Sequence, residues 1–140
     1  MIKLHILVVG ALKKGPLFEL YRDFEKRSGW PVFLCECRDD GKLVEKIRSD
    51  WPLWVMDERG NSVKSVVFAR DLQHVIDEGH KDIQFVIGGA DGLPEGVRKS
   101  ADKLMSFGKQ TWPHMMARVM LMEQLYRAQQ ILKGHPYHRE

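Results

Sequence analysis

Three stretches in the second half of this chain hold residue types that can do chemistry. The first is an apolar run into glycines, Ile83-Gln84-Phe85-Val86-Ile87-Gly88-Gly89-Ala90-Asp91-Gly92. A strand that ends in glycine ahead of a helix sits where open α/β sheets bind ligands. Glycine there lets a ligand lie against bare backbone. The second is Phe107-Gly108-Lys109-Gln110-Thr111-Trp112-Pro113-His114, a bend before a helix. Two such loops at one end of a sheet can hold a flat, uncharged ring such as adenine by main-chain hydrogen bonds. The third is His135-Pro136-Tyr137-His138-Arg139-Glu140. Histidine takes a proton from a weak acid near neutrality. Arginine grips phosphate or an oxygen gaining charge, and tyrosine stacks on a base. Each stretch also has a plainer reading: a tight turn, a helix entry, a frayed terminus.

Other candidates weaken on inspection. The glycines are not spaced G-x-G-x-x-G, and the Lys-Ser/Thr pair of a phosphate-binding loop is missing, which disfavours nucleotide triphosphates and dinucleotides. Cys35 and Cys37 share one face of a strand with no histidine or second cysteine pair nearby, so buried thiols are expected and a metal site is not. Asp57, Glu58, Asp91 and Glu95 suit turns and helix starts. His5, His74 and His80 stand in no motif. Lys13, Lys14, Arg22, Lys26 and Arg27 form a basic patch, which is either a solvated face or a contact for RNA phosphates.

These residues need elements to position them. With 140 residues, 44% apolar and 29% charged, one domain with a real core is expected, spanning residues 1–140. A net charge of +3 permits an RNA partner without demanding one. The short apolar start, interrupted by His5, does not read as a signal peptide, and no stretch reaches the roughly 18 apolar residues of a membrane span. A cytoplasmic protein is expected.

Residues 2–9 read as a buried strand. Leu17, Leu20, Tyr21 and Phe24 recur at helical spacing between Pro16 and Ser28-Gly29, a start and a stop. Strands are expected at 32–37 and 53–56, the latter stopped by residues 57–61, with a short helix at 43–47 between them. Ser65 precedes a helical pattern containing Val67, Leu72, Val75 and Ile76. A strand follows from Ile83, then a helix from Pro94-Glu95 to about Lys103, and a short strand at 104–107. Pro113 opens a long helix that Gly134 and Pro136 terminate. Strands alternating with helices predict an α/β layer fold with a mostly parallel sheet.

The long helix carries Met115, Met116, Val119, Met120, Leu121, Met122, Leu125, Ile131 and Leu132, which cover most of its girth. Such a helix needs more than one neighbour. Either it lies at the centre of its own domain, or a second subunit covers it.

Four segments together resemble the ribosomal RNA large subunit methyltransferase H family of SPOUT-class enzymes. They are residues 85–92, Trp112-Pro113-His114-Met115-Met116-Ala117-Arg118-Val119, Glu123-Gln124-Leu125-Tyr126-Arg127-Ala128, and residues 135–140. The match is close and ordered from about Ile83 onward, and residues 3–10 and 12–16 agree more loosely. The resemblance implies an α/β fold with helices on both sheet faces and a trefoil knot in the C-terminal part. It implies a homodimer with its site at the interface, acting on the ribosome. The reaction implied is methylation of N-3 of a pseudouridine in large-subunit ribosomal RNA. The implied donor, S-adenosylmethionine, is held by three loops. These correspond to Met56, to Gly88 and Gly89, and to Gly108, Lys109, Gln110, Thr111, Trp112 and Pro113. In the tail, His138 is placed to take the imide proton, Arg139 to stabilise charge or anchor a phosphate, and Tyr137 to pack on the base. The section 38–51 is shorter than is usual in the family, which bears on one edge of the RNA-facing surface.

Two rivals remain at this stage. A non-catalytic RNA-binding dimer with the same fold would not need the methyl donor, and a small nucleotide-binding regulator would need the phosphate signature that is missing.

Overall fold

The runs rich in leucine and β-branched residues form a five-stranded, all-parallel sheet in the computed structural model, which describes residues 1–89 and 92–139. Ala90 and Asp91 of the glycine turn and Glu140 of the tail lie outside the described residues.

The elements are β1 (Lys3–Val9), α1 (Pro16–Arg27), β2 (Val32–Cys37), α2 (Asp40–Lys46), β3 (Leu53–Asn61), α3 (Ser65–Asp77), β4 (Asp82–Ile87), α4 (Glu95–Ser100), β5 (Lys103–Met105) and α5 (His114–Leu132). The strand order is β2-β1-β4-β3-β5. β1 and β4 therefore lie inside, which is why both read as near-continuous apolar runs.

Helices cover both faces. One face and α1, α3 and α5 share a core that includes Leu4, Ile6, Phe24, Trp54, Leu72, Phe85, Leu121 and Leu125. The other face carries the short helices α2 and α4, whose Leu43 and Val97 pack with Leu7, Val55 and Val86. α5 lies between α1 and α3. Ser65 is the first residue of α3, not a residue ahead of it, and its hydroxyl donates to Gln124 of α5 at 2.7 Å. The girth of α5 is thus largely covered within one chain, so its breadth alone does not call for a second subunit.

Local signals explain the boundaries. Pro16 opens α1. Asp39 caps α2 by accepting from the Lys42 backbone N–H at 2.8 Å, a bond that lowers its carboxyl pKa. α5 ends in a left-handed Gly134 (φ 72°), with Gly134 N–H donating to Ile131 and His135 N–H to Gln130. This is the paired C-terminal closure that glycine favours.

The helix expected at 43–47 begins earlier, at Asp40, and ends at Lys46, because Asp39 caps it, and two further boundaries are corrected. β3 does not stop at Met56 but runs on to Asn61. Met105 is the register partner of both Met56 and Asn61, so residues 57–60 bulge out between them. Gly60 is required there because a Cβ would fall 2.5 Å from the Met105 nitrogen. The second correction is at α4, which ends at Ser100. β5 occupies residues 103–105, not 104–107, because Asp102 turns the chain by accepting from Leu53 N–H at 2.7 Å.

Candidate active site

The carboxyl ends of β3, β4 and β5 open into a cleft of about 550 Å³, a volume suited to a small organic ligand. Met56 and Ile87 contribute apolar walls, the glycine turn one side, and the segment after β5 another. Of the anticipated donor-binding residues, Met56, Gly88, Gly89, Gly108, Gln110, Thr111, Trp112 and Pro113 line it. Lys109 does not; it is exposed in the same loop.

The glycines are needed for different reasons. At Gly88 a Cβ would lie 2.7 Å from Leu93 Cγ, so the turn closes only on a bare backbone. At Gly89 a Cβ would lie 3.3 Å from Val9 Cγ1, and its N–H donates to Asp40 Oδ1 at 3.1 Å. Gly92 and Gly108 have φ of 78° and 106°, a region other residues avoid.

The β3 bulge adds what the sequence reading assigned to a turn. Asp57, Glu58 and Arg59 line the cleft. The Asp57 side chain is only 7% exposed and accepts from the Arg59 backbone N–H at 2.8 Å. The Thr111 hydroxyl donates to Glu58 at 2.8 Å, tying the bulge to the loop opposite. The Arg59 guanidinium donates to Asp57 at 3.4 Å, so the three side chains together leave one negative charge on this wall, which favours a ligand with positive charge. The signal that could have shown this was the strand-like stretch persisting through Asn61, but its polar residues carry no apolar alternation.

Behind the cleft, Arg118 of α5 is fully buried. It donates to Glu36 at 2.6 Å and to the Gly10 and Val9 carbonyls at 2.9 and 3.3 Å. Glu36 also accepts from Leu12 N–H at 2.7 Å. One guanidinium therefore pins the end of β1, whose Val9 lies against Gly89, to β2 and α5.

The tail lies elsewhere. Tyr137 OH donates to Glu123 at 2.8 Å, and this bond and burial raise its pKa, with burial the larger cause. The Arg127 guanidinium bonds Glu123 at 2.7 Å and His138 Nδ1 at 3.1 Å. Glu123 and Arg127 are six and ten residues beyond Ala117, the last α5 residue at the cleft, so they lie about 9 and 15 Å further along the helix. Tyr137, His138 and Arg139 do not line the cleft of their own chain. His138 Nε2 is buried without a hydrogen-bond partner among the described residues. Among the described residues, no cluster of three or more His, Cys, Asp or Glu side chains could hold a metal ion, and no helix is long and apolar enough to cross a membrane.

An all-parallel sheet with a glycine-turned cleft at its strand ends is the frame of the class whose family model, described as "Predicted SPOUT methyltransferase", matches residues 2–138. A probable methylase family protein from Haemophilus influenzae shares the fold, with a TM-score of 0.58 and 11% identity over 98% of this chain and 70% of that one. Among sequences, the ribosomal RNA large subunit methyltransferase H of Rhizorhabdus wittichii is 44% identical, covering 98% of each chain. Those of Erythrobacter litoralis and Rhodospirillum centenum are each 45% identical, covering 97% and 98% of this chain and 97% and 99% of theirs. The chain belongs to the ribosomal RNA large subunit methyltransferase H family of SPOUT methyltransferases. It is a methyltransferase, and its reaction uses a methyl donor.

Proposed function

We propose that this protein methylates N-3 of a pseudouridine in large-subunit ribosomal RNA, using S-adenosylmethionine, as a cytoplasmic homodimer acting on assembled ribosomes. The observation that carries this reading is the glycine-backed cleft with Asp57 and Glu58 on its wall, in a chain of this family. The residues fit the donor. Gly88 lets the turn close tightly on Leu93 at the cleft wall, Met56 and Ile87 offer an apolar wall to a ring, and the negative charge that Glu58 adds beside the Asp57–Arg59 pair suits a sulfonium or an ammonium. The methyl donor supplies an electrophilic carbon, so the protein has chiefly to align and to exclude water.

Gly88, Gly108 and the backbone of residues 110–113 hold the donor, and Trp112, 38% exposed, closes over it. The tail meets the acceptor. Tyr137 packs on the base, Arg139 binds a phosphate or an oxygen gaining charge, and His138 takes the N-3 proton. Arg127 donates to His138 Nδ1, so in the neutral ring that hydrogen sits on Nε2. His138 becomes a proton acceptor at Nδ1 when the RNA displaces Arg127.

The distance between each tail and its own cleft favours a site shared by two protomers, where the tail of one serves the cleft of the other. The knot belongs to the same proposal. In keeping with it, the segment after β5 is fastened to the β3 bulge through Thr111 and Glu58 and through the Ser62 and Ser106 hydroxyls, 3.1 Å apart.

Tritiated methyl transfer to ribosomes, free subunits and protein-free RNA tests the proposal. Incorporation into ribosomes that maps to one pseudouridine is expected. Donor binding without incorporation into any of the three substrates would overturn it.

A further inference from the structure

On the sheet face opposite α5, toward the amino ends of the strands, four planar groups form a column. The His5 ring lies 4.1 Å from that of Trp51, at 28°, and 5.2 Å from that of Phe33, at 17°. Phe33 is the register partner of His5 on β2, while Trp51 arrives from the segment before β3, on the other side of β1. The imidazole is therefore held between two rings. The Arg48 guanidinium lies over Trp51, 4.7 Å from the ring centroid.

Each member is fixed by something besides the stack. His5 Nε2–H donates to Asp82 at 2.8 Å. Arg48 is bidentate on Asp50, at 3.1 and 2.9 Å. The turn that carries Arg48 and Trp51 is clipped by the amide of Gln84, which is fully buried on β4. That amide accepts from Arg48 N–H at 3.0 Å and donates to the carbonyls of Arg48 and Trp51 at 2.5 and 3.3 Å. The column is rigid before any partner arrives.

It is also open at one end. Phe33 is 50% exposed, and among the described residues β2 is an edge strand with no neighbouring strand beyond it. α2 covers the next level of the sheet, where Leu43 packs with Leu7 and Cys37, and leaves this ring bare.

We propose that the outer face of Phe33 is a docking platform for one nucleobase of single-stranded RNA. The proposal rests on the RNA substrate given above and adds a second contact to it. A flat aromatic face takes any base, and flanking cations hold its phosphates. Exposed Lys3 is two residues from His5 on β1 and so points to the same face. Arg48 and Lys81 are exposed nearby. The carboxylates of Asp82 and Asp50 are already engaged by His5 and Arg48, which leaves the lysines to the RNA. Phe33 lies two strands across from Gln84, and the cleft begins three to four residues further along β4, which puts the two about 14–16 Å apart. That is within reach of a strand whose target base enters the cleft.

The test compares Phe33→Ala, Phe33→Leu and Phe33→Trp with the unchanged protein, using oligouridylate, protein-free large-subunit RNA and ribosomes as probes. Tryptophan emission and equilibrium binding are read over a range of salt, and donor binding is measured in parallel. Loss of one stacked base should weaken RNA binding about 5- to 150-fold in the alanine and leucine variants. The salt slope should not change, the tryptophan variant should bind like the unchanged protein, and donor affinity should stay constant. Circular dichroism checks folding, which a half-exposed edge position leaves intact. Equal RNA binding by all four proteins would overturn the platform alone, as would full recovery by leucine. A loss seen on ribosomes but not on protein-free RNA would assign the ring to a protein partner and overturn it too. No binding by the unchanged protein to ribosomes, to large-subunit RNA or to oligouridylate would instead overturn the proposed substrate, and the platform with it.

Discussion

If the tail of one protomer serves the cleft of its mate, two differently disabled chains should rescue one another. The first variant is Gly88→Val, whose Cβ would lie 2.7 Å from Leu93 Cγ and 3.2 Å from the Leu93 nitrogen, forcing apart two residues that line the cleft. The second is His138→Ala, which leaves the cleft untouched. Each should be inactive alone, and calorimetry should show donor binding lost in the first and retained in the second. Co-expression in equal amounts gives heterodimers as half of all dimers. In each heterodimer one site combines the intact cleft of the second chain with the intact tail of the first, and the other site combines both defects. Activity should therefore recover to about a quarter of the unmutated level, by simple counting over a two-fold dimer. The tail's bonds to Glu123 and Arg127, about 9 and 15 Å along α5 from Ala117, underlie the expectation. A mixture no more active than its two parents would refute the shared site and return the tail to its own chain.

Removing the Arg118 guanidinium tests the clamp behind the cleft. Arg118→Met should destabilise the fold by about 3 kcal/mol, the lower end for a broken buried pair, because Glu36 keeps a third of its side chain in solvent. That corresponds to roughly 10 °C in thermal midpoint for a chain of this size, and a loss below 1 kcal/mol would show that the pair holds little. The two thiols should differ in reactivity. Burial, and the Cys35 sulfur 3.8 Å away, push the Cys37 thiol from 9.0 up to about 11, so near pH 8 it holds about 100-fold less thiolate than an ordinary cysteine. Ellman's reagent should find Cys37 slow at that pH and speed up as pH rises toward 11. Rapid labelling of Cys37 at pH 7 would contradict its burial.

The inner strands and the long helix were legible because their signals are local. β1 and β4 are apolar runs broken only by His5 and Gln84 and followed by glycine, and α5 is bracketed by Pro113 and Gly134. The glycine turn and the loop from Gly108 could be paired as a cleft for the same reason, since strand ends of a parallel sheet converge. The bulge of β3 was hidden because residues 57–60 take their shape from a register shift against Met105, which leaves no period in the sequence. Asp57 and Glu58 looked like turn residues and became cleft walls. The breadth of α5 misled in another way: an apolar girth demands cover without saying whose, and α1 and α3 supply most of it. His5 stood in no motif because its neighbours, Phe33, Trp51, Asp82 and Gln84, are brought together only by strand pairing.

The position of α5 has a consequence for how the protein is made. Every strand is translated before it, yet it fills the gap between α1 and α3 on one whole side of the sheet. While the ribosome is still adding residues 114–132, the growing polypeptide must carry Phe85 and the inner strand around it without their eventual roof. Such a surface invites chaperones or misassociation. Folding should thus be completed after synthesis of this segment, with Arg118 reaching back to Gly10 as one of the final fastenings.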